Sequence, residues 1–174
     1  MRDFKLDALV IPPRDIQERA KQIGVQLNYR LAGENPIFIG ILNAAFMFTA
    51  DVVRWFMAPC EVAFIQASSY TGQKQSRKVK VQLPRGLKIE GRVVVLLDTI
   101  FDSGATFRAC IDSVGRLKPR IIHTASMFSK IKERKSRWKP DVVGFEIKDQ
   151  FVVGYGLDLN GEYRNLYNLA TVRK

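Results

Sequence analysis

The sequence predicts an α/β fold in which a mostly parallel, twisted sheet is flanked by helices, and three observations lead there. Strand-like and helix-like stretches alternate along the chain. Several strand-like runs are apolar without interruption, as strands covered on both faces are. The strongest of them, Val93-Val94-Val95-Leu96-Leu97, runs into Asp98-Thr99-Ile100-Phe101-Asp102-Ser103-Gly104-Ala105-Thr106. Carboxylates and hydroxyls therefore gather at a strand's carboxyl end, where open α/β sheets bind their ligands.

Taken in order, an extended start ends at Pro12-Pro13, and 13–31 reads as a helix with Ile16, Ala20, Ile23 and Leu27 along one face. Gly33-Glu34-Asn35-Pro36 is a turn. A buried strand over 37–42 leads through Asn43-Ala44-Ala45 to a helix over 46–56, and 61–68 is a further strand. The polar stretch 69–77, with Gly72 inside it, reads as a mobile loop. The strand over 79–83 ends at Pro84-Arg85-Gly86. After the central strand comes a helix from 106 to about 117, then strands over 121–128 and 142–147 and an aromatic, β-branched stretch over 151–157. No repeat or low-complexity tract interrupts this order, so 1–174 reads as a single domain.

The segment 98–106 carries the chemistry. A helix opening there offers backbone N–H groups and the positive end of its dipole to a phosphate, and the hydroxyls of Ser103 and Thr106 add donors. Asp98 and Asp102 beside such a cradle suggest a sugar phosphate. Asp and Ser are also ordinary helix caps, so the local pattern leaves a plain strand–turn–helix open.

Composition narrows the class. A chain of 174 residues, 47% hydrophobic and 26% charged, is long enough for a real core. No apolar run approaches the ~20 residues of a membrane span. The start, Met1-Arg2-Asp3-Phe4-Lys5, lacks the apolar core of a signal peptide, so a soluble, cytoplasmic protein with no membrane partner is expected. Cys60 and Cys110 lack metal or redox spacing and read as buried thiols. His123, the single histidine, falls in an apolar run, which disfavours histidine catalysis and zinc. A net charge of +11 favours anionic ligands and brings nucleic acid into consideration. Two basic runs, Lys130-Lys132-Arg134-Lys135-Arg137-Lys139 and Lys74-Arg77-Lys78-Lys80, read as solvated faces that would also attract a polyanionic substrate.

The stretch from Val93 to Thr106 resembles the phosphoribosyl pyrophosphate (PRPP) motif of type I phosphoribosyltransferases. The resemblance continues through Pro140-Asp141-Val142-Val143-Gly144-Phe145-Glu146-Ile147, Phe151-Val152-Val153-Gly154-Tyr155-Gly156-Leu157-Asp158 and Tyr163-Arg164-Asn165-Leu166. These runs are similar to the carboxyl-terminal region of hypoxanthine-guanine phosphoribosyltransferases. Phe64 with Ser68-Ser69-Tyr70, and Phe46 to Asp51, resemble other parts of that family, so the likeness spans about 16–172.

The resemblance implies a type I phosphoribosyltransferase fold with a small hood and a flexible loop. It implies purine salvage: transfer of the 5-phosphoribosyl group from PRPP to a 6-oxopurine base, hypoxanthine or guanine, giving IMP or GMP and pyrophosphate with Mg2+ as cofactor. By position, Asp98, Thr99, Asp102, Ser103, Gly104, Ala105 and Thr106 would bind PRPP and the 5'-phosphate, with Asp102 the general base at purine N7. Lys130 would donate to the exocyclic oxygen, Phe151 would stack on the base, and Val152 would offer its backbone to the purine edge. Asp98 and Asp158 would reach magnesium. Leu42, Asn43 and Ala44, with a non-proline cis peptide at Leu42–Asn43, and Arg164 would hold pyrophosphate, while Ser69 and Tyr70 belong to the flexible loop. A homodimer or tetramer is also implied.

Two departures fall at the chemistry. Thr99 stands where the family has a second acid, and Asn43-Ala44-Ala45 where it has Lys-Gly-Gly. Losing one charged hydrogen bond costs about 1.5–3 kcal/mol, so reduced activity is an expectation here. Beside the active enzyme stand two alternatives of the same fold: a catalytically weak nucleotide or PRPP sensor, and a nucleic-acid-binding regulator, which Lys130 and Phe151 disfavour. One lysine serves hypoxanthine, guanine and xanthine alike, which leaves the choice among them open.

Overall fold

A computed structural model describes residues 5–70, 78–131 and 138–173. The apolar runs β2 (Ile37–Leu42) and β5 (Val93–Phe101) lie side by side in a six-stranded sheet. Strand alternation sorts their side chains into two cores. Phe38, Val93, Val95 and Leu97 are buried with Ile16, Ile23 and Leu27 of α1 (Pro13–Leu31) and Phe48 and Val52 of α2 (Phe46–Val53). Ile37, Ile39, Ile41, Val94 and Leu96 pack with Phe107, Cys110 and Val114 of α3 (Ala105–Gly115). Coverage on both faces is why these strands read as unbroken apolar runs.

The sheet is completed by β3 (Glu61–Tyr70), β4 (Lys78–Gln82), β6 (Ile121–Ile131) and β7 (Val142–Lys148), in the order β4-β3-β2-β5-β6-β7. β4 pairs antiparallel with β3, and the other neighbours are parallel. From β2 the chain moves outward to β3 on one side, and from β5 to β6 on the other. The strand order therefore reverses between β2 and β5, and a crevice opens at their carboxyl ends.

A second, antiparallel sheet has the order β1-β9-β8, from β1 (Lys5–Ile11), β9 (Leu169–Arg173) and β8 (Val152–Val153). It brings the two ends of the chain together, with Lys5 opposite Arg173 and Leu9 opposite Ala170. This sheet is the small hood. β1, expected only as an extended start, exposes five consecutive positions, and β9 opens on two consecutive buried residues, so neither shows the alternation of a half-buried strand.

Other boundaries shift for local reasons. The helix expected over 46–56 ends at Val53. The N–H groups of Trp55 and Phe56 turn instead to Val52 and Val53, three residues back, and the Asn28 side chain accepts from Met57 and Ala58. The stretch 151–157 keeps only two strand residues, since Gly154, Tyr155 and Gly156 all have positive φ (100°, 48° and 91°). β3, β5 and β6 each run further than expected, to Tyr70, Phe101 and Ile131, so Asp98 and Lys130 project from strands rather than from loops. α3 occupies Ala105–Gly115 instead of 106 to about 117. Cys110 is buried and Cys60 half-buried, both as free thiols, and His123 lies on β6. Among the described residues no helix is long and apolar enough to cross a membrane.

Candidate active site

At the switch between β2 and β5 lies a cleft of about 440 Å³. Leu42, Asn43 and Ala44 line one wall, Asp98, Asp102, Ser103, Gly104 and Thr106 another, and Asp158 and Arg164 reach in from the segment between β8 and β9. Residues from three distant parts of the sequence thus meet in one place. A larger groove, about 790 Å³, runs along α1 and α2 between Arg14, Lys21, Asp51 and Trp55, and holds none of the motif residues.

The turn after β5 is shaped by packing. Gly104, at the head of α3, has φ 81°, and a Cβ there would stand 2.9 Å from the Phe101 ring. Glycine fits on both counts. Phe101, Phe107 and Trp138 pack against one another beside this turn, at centroid separations of 5.4–6.1 Å. Neither Asp102 nor Ser103 is the cap that the plain strand–turn–helix alternative would have: Gly104 is the N-cap, and the Ser103 hydroxyl accepts at 3.3 Å from the N–H of Ala105. The first turn of α3 therefore begins at the cleft, with Thr106 on its lining.

The opposite wall is main chain. The Leu42–Asn43 peptide is cis, as the resemblance implied. Ala45 donates its N–H to Ile41 at 3.0 Å, and the Thr99 hydroxyl donates to the Ala44 carbonyl at 2.8 Å. Behind that carbonyl sits Gly156, where a Cβ would come within 2.0 Å of the same oxygen. Arg164 donates to the Gly156 carbonyl at 2.6 Å and meets Asp158 at 2.7 Å, and Asp158 accepts from the N–H of Gly161 at 2.8 Å. Thr99, grouped by the motif with the PRPP-binding residues, is fully buried and directs its hydroxyl to this loop; its neighbour Asp98 lines the cleft.

Asp98 is 6% exposed. Burial pushes its carboxyl up to about 7, against N–H bonds from Thr99 and Ile100 that favour the charged form. Burial, with the nearby Asp98 charge, likewise drives the Cys110 thiol up to about 12. No group of three or more His, Cys, Asp or Glu side chains that could hold a metal occurs among the described residues. The two carboxylates Asp98 and Asp158 on the cleft lining are a donor set that suits magnesium, which keeps several waters and takes one or two carboxylates together with substrate phosphates.

Asp102, on the cleft lining, is approached by a charged side chain of β6. Lys130, 13% exposed, stands 3.6 Å from Asp102 and 3.3 Å from Asp149. Asp149 was not foreseen. The pairing of Ile131 with Lys148 carries the chain just past Lys130's own partner, Ile147, and so puts the next residue beside the ammonium. Two residues on, Phe151 is 54% exposed and Val152 is buried. Ser69 and Tyr70 close β3 by their backbone, while their side chains, the loop 71–77 and most of the second basic run lie outside the described residues.

Backbone and switch-point cleft together have the architecture of a type I phosphoribosyltransferase. The chain belongs to the phosphoribosyltransferase family: residues 14–160 match the phosphoribosyl transferase domain. It is 40% identical, over 91% of its length and 90% of the relative's, to the hypoxanthine-guanine phosphoribosyltransferase of Aquifex aeolicus. With the enzyme of the same name from Bacillus subtilis it shares 33% identity, over 99% of this chain and 97% of the relative. The crystal structure of a hypoxanthine-guanine phosphoribosyltransferase from Bacillus anthracis superposes with a TM-score of 0.89 at 32% identity, covering 98% of this chain and all of that one (100%).

Proposed function

We propose that this protein is a purine salvage enzyme that transfers the 5-phosphoribosyl group of PRPP to hypoxanthine or guanine, releasing pyrophosphate and forming IMP or GMP. The observation that carries the reading is the approach of Asp102 and Lys130 to 3.6 Å at one end of the phosphate cleft. A 6-oxopurine carries N7 and its exocyclic oxygen side by side on one edge. A carboxylate accepting from N7–H beside an ammonium donating to that oxygen matches that edge.

In this reading Asp102 takes the N7 proton as N9 bonds to the anomeric carbon, and the bond from that carbon to pyrophosphate breaks. Lys130 fixes the base by its exocyclic oxygen, Phe151 stacks on the ring and Val152 meets its edge through the backbone. Ser103, Gly104, Ala105 and Thr106 hold the 5'-phosphate at the opening of α3. Leu42, Asn43, Ala44 and Arg164 hold the pyrophosphate end. Asp98 and Asp158 would hold a magnesium ion, which would supply positive charge at the pyrophosphate end.

The test is nucleotide formation from PRPP with hypoxanthine, guanine, xanthine and adenine, with and without magnesium. The 6-oxopurines are expected to react. Adenine, which presents an amino group to Lys130, is expected to fall behind by about 10,000-fold, because donor then faces donor where the 6-oxopurines offer an acceptor. Comparable use of adenine refutes the base assignment.

A further inference from the structure

We infer that Thr99 is a positioning residue: it clamps the loop 42–45 through the Ala44 carbonyl and so sets the shape in which that loop receives pyrophosphate. The inference rests on the proposed transferase reading for its purpose, and on packing for its substance. Thr99 is fully buried and its hydroxyl donates to Ala44 at 2.8 Å. The same carbonyl is packed from behind by Gly156, with no room for a side chain there, and the Gly156 carbonyl is gripped at 2.6 Å by Arg164, which itself lines the cleft. The loop is thus fixed from the sheet side by one hydroxyl and from the hood side by one glycine.

The chemistry of the residue matters. A carbonyl oxygen needs a donor, and an ionised carboxylate is acceptor only. An acid at position 99 would set oxygen against oxygen in a buried place, where an unpaired charge is costly. Threonine supplies the donor, so the departure at Thr99 converts a charged position into a brace for a loop that carries two alanines, Ala44 and Ala45.

The experiment compares wild type with Thr99→Val, Thr99→Ser and Thr99→Asp. It reads pyrophosphate affinity by calorimetry with magnesium present, and KM and kcat for PRPP and hypoxanthine. Thr99→Val keeps the shape and loses the donor, and is expected to weaken pyrophosphate and raise the PRPP KM about 5- to 10-fold, with kcat and the hypoxanthine KM within about twofold. Thr99→Ser restores the donor and is expected to recover the PRPP KM to within about twofold. Thr99→Asp is expected to bring no gain. Unchanged pyrophosphate affinity in Thr99→Val, an equal loss in all parameters, or tighter PRPP binding in Thr99→Asp overturns the clamp. A wild type that binds pyrophosphate in a Thr99-dependent way yet makes no nucleotide upholds the clamp and sinks the transferase reading.

Discussion

Along Leu42, Asn43 and Ala44 the cleft wall is a loop whose backbone is fixed by contacts that themselves lie out of solvent: the Thr99 hydroxyl, the glycine at 156 and the N–H of Ala45 turned back to Ile41. At the opposite end, Lys130, Asp102 and Asp149 hold one another by charge, and both carboxylates are 46% exposed. The first end works by shape, and its side chains can change while the fold keeps the loop in place. The second, in the proposed reading, works by functional groups. This contrast accounts for where the chain departs from its family's pattern: Asn43, Ala44, Ala45 and Thr99 all belong to the shape-built end, whereas Asp102, Lys130 and Phe151 are retained.

The sharpest way to break the contrast is at the functional-group end. Asp102→Asn leaves the volume unchanged and removes the proton acceptor, so turnover is expected to fall by about 100- to 10,000-fold while IMP binding changes little. Steady-state kcat set against nucleotide affinity measures both, and near-normal turnover would remove Asp102 from the role.

Next in size is the pH dependence of Asp98. Its carboxyl is raised from the ordinary 3.8 to about 7, so between these values the unfolded chain releases the proton while the folded protein keeps it. The contribution of this one group to the stability of the metal-free protein is therefore greatest below about pH 4, falls as the pH rises towards 7 and levels off above it. The loss from this one group is on the order of 4 kcal/mol as an upper bound. Urea unfolding across that range should show the slope in wild type and lose it in Asp98→Asn; an identical slope in both would assign it to other groups.

The smallest expected effect sharpens the shape-built end. Gly156→Ala puts a methyl 2.0 Å from the Ala44 oxygen in a backbone with φ 91°. A cost of roughly 2–3 kcal/mol in unfolding free energy is expected, together with weaker pyrophosphate binding. Full stability with unchanged pyrophosphate affinity would show that the loop does not depend on this contact.

The same contrast explains what could be read from the sequence. The central strands, α1, the phosphate turn and the charged residues were legible because apolar runs, helical spacing and side-chain identity are written in single residues. The hood was not, since β1 and β9 pair across the whole chain and neither alternates cleanly. Asp149 was missed because its place depends on the register of β7 against β6. Thr99 read as a lost acid for a similar reason: its meaning lies in a hydrogen bond to a residue 55 positions earlier. Glycines 154 and 156 could have warned that 151–157 bends, for glycine is where positive φ is cheapest.

The hood also orders events during synthesis. β1 is made well before its partner β9, so the edge of β1, with Leu6 and Leu9 outward, waits unpaired while the strands between them are made. Pairing across so long a chain segment closes slowly. A nascent chain stalled after β7 would carry all six strands of the large sheet and the turn after β5, yet lack the Asp158 and Arg164 wall of the cleft. The wall that carries Asp158 and Arg164 is thereby completed only after the strands and the turn that face it have been made.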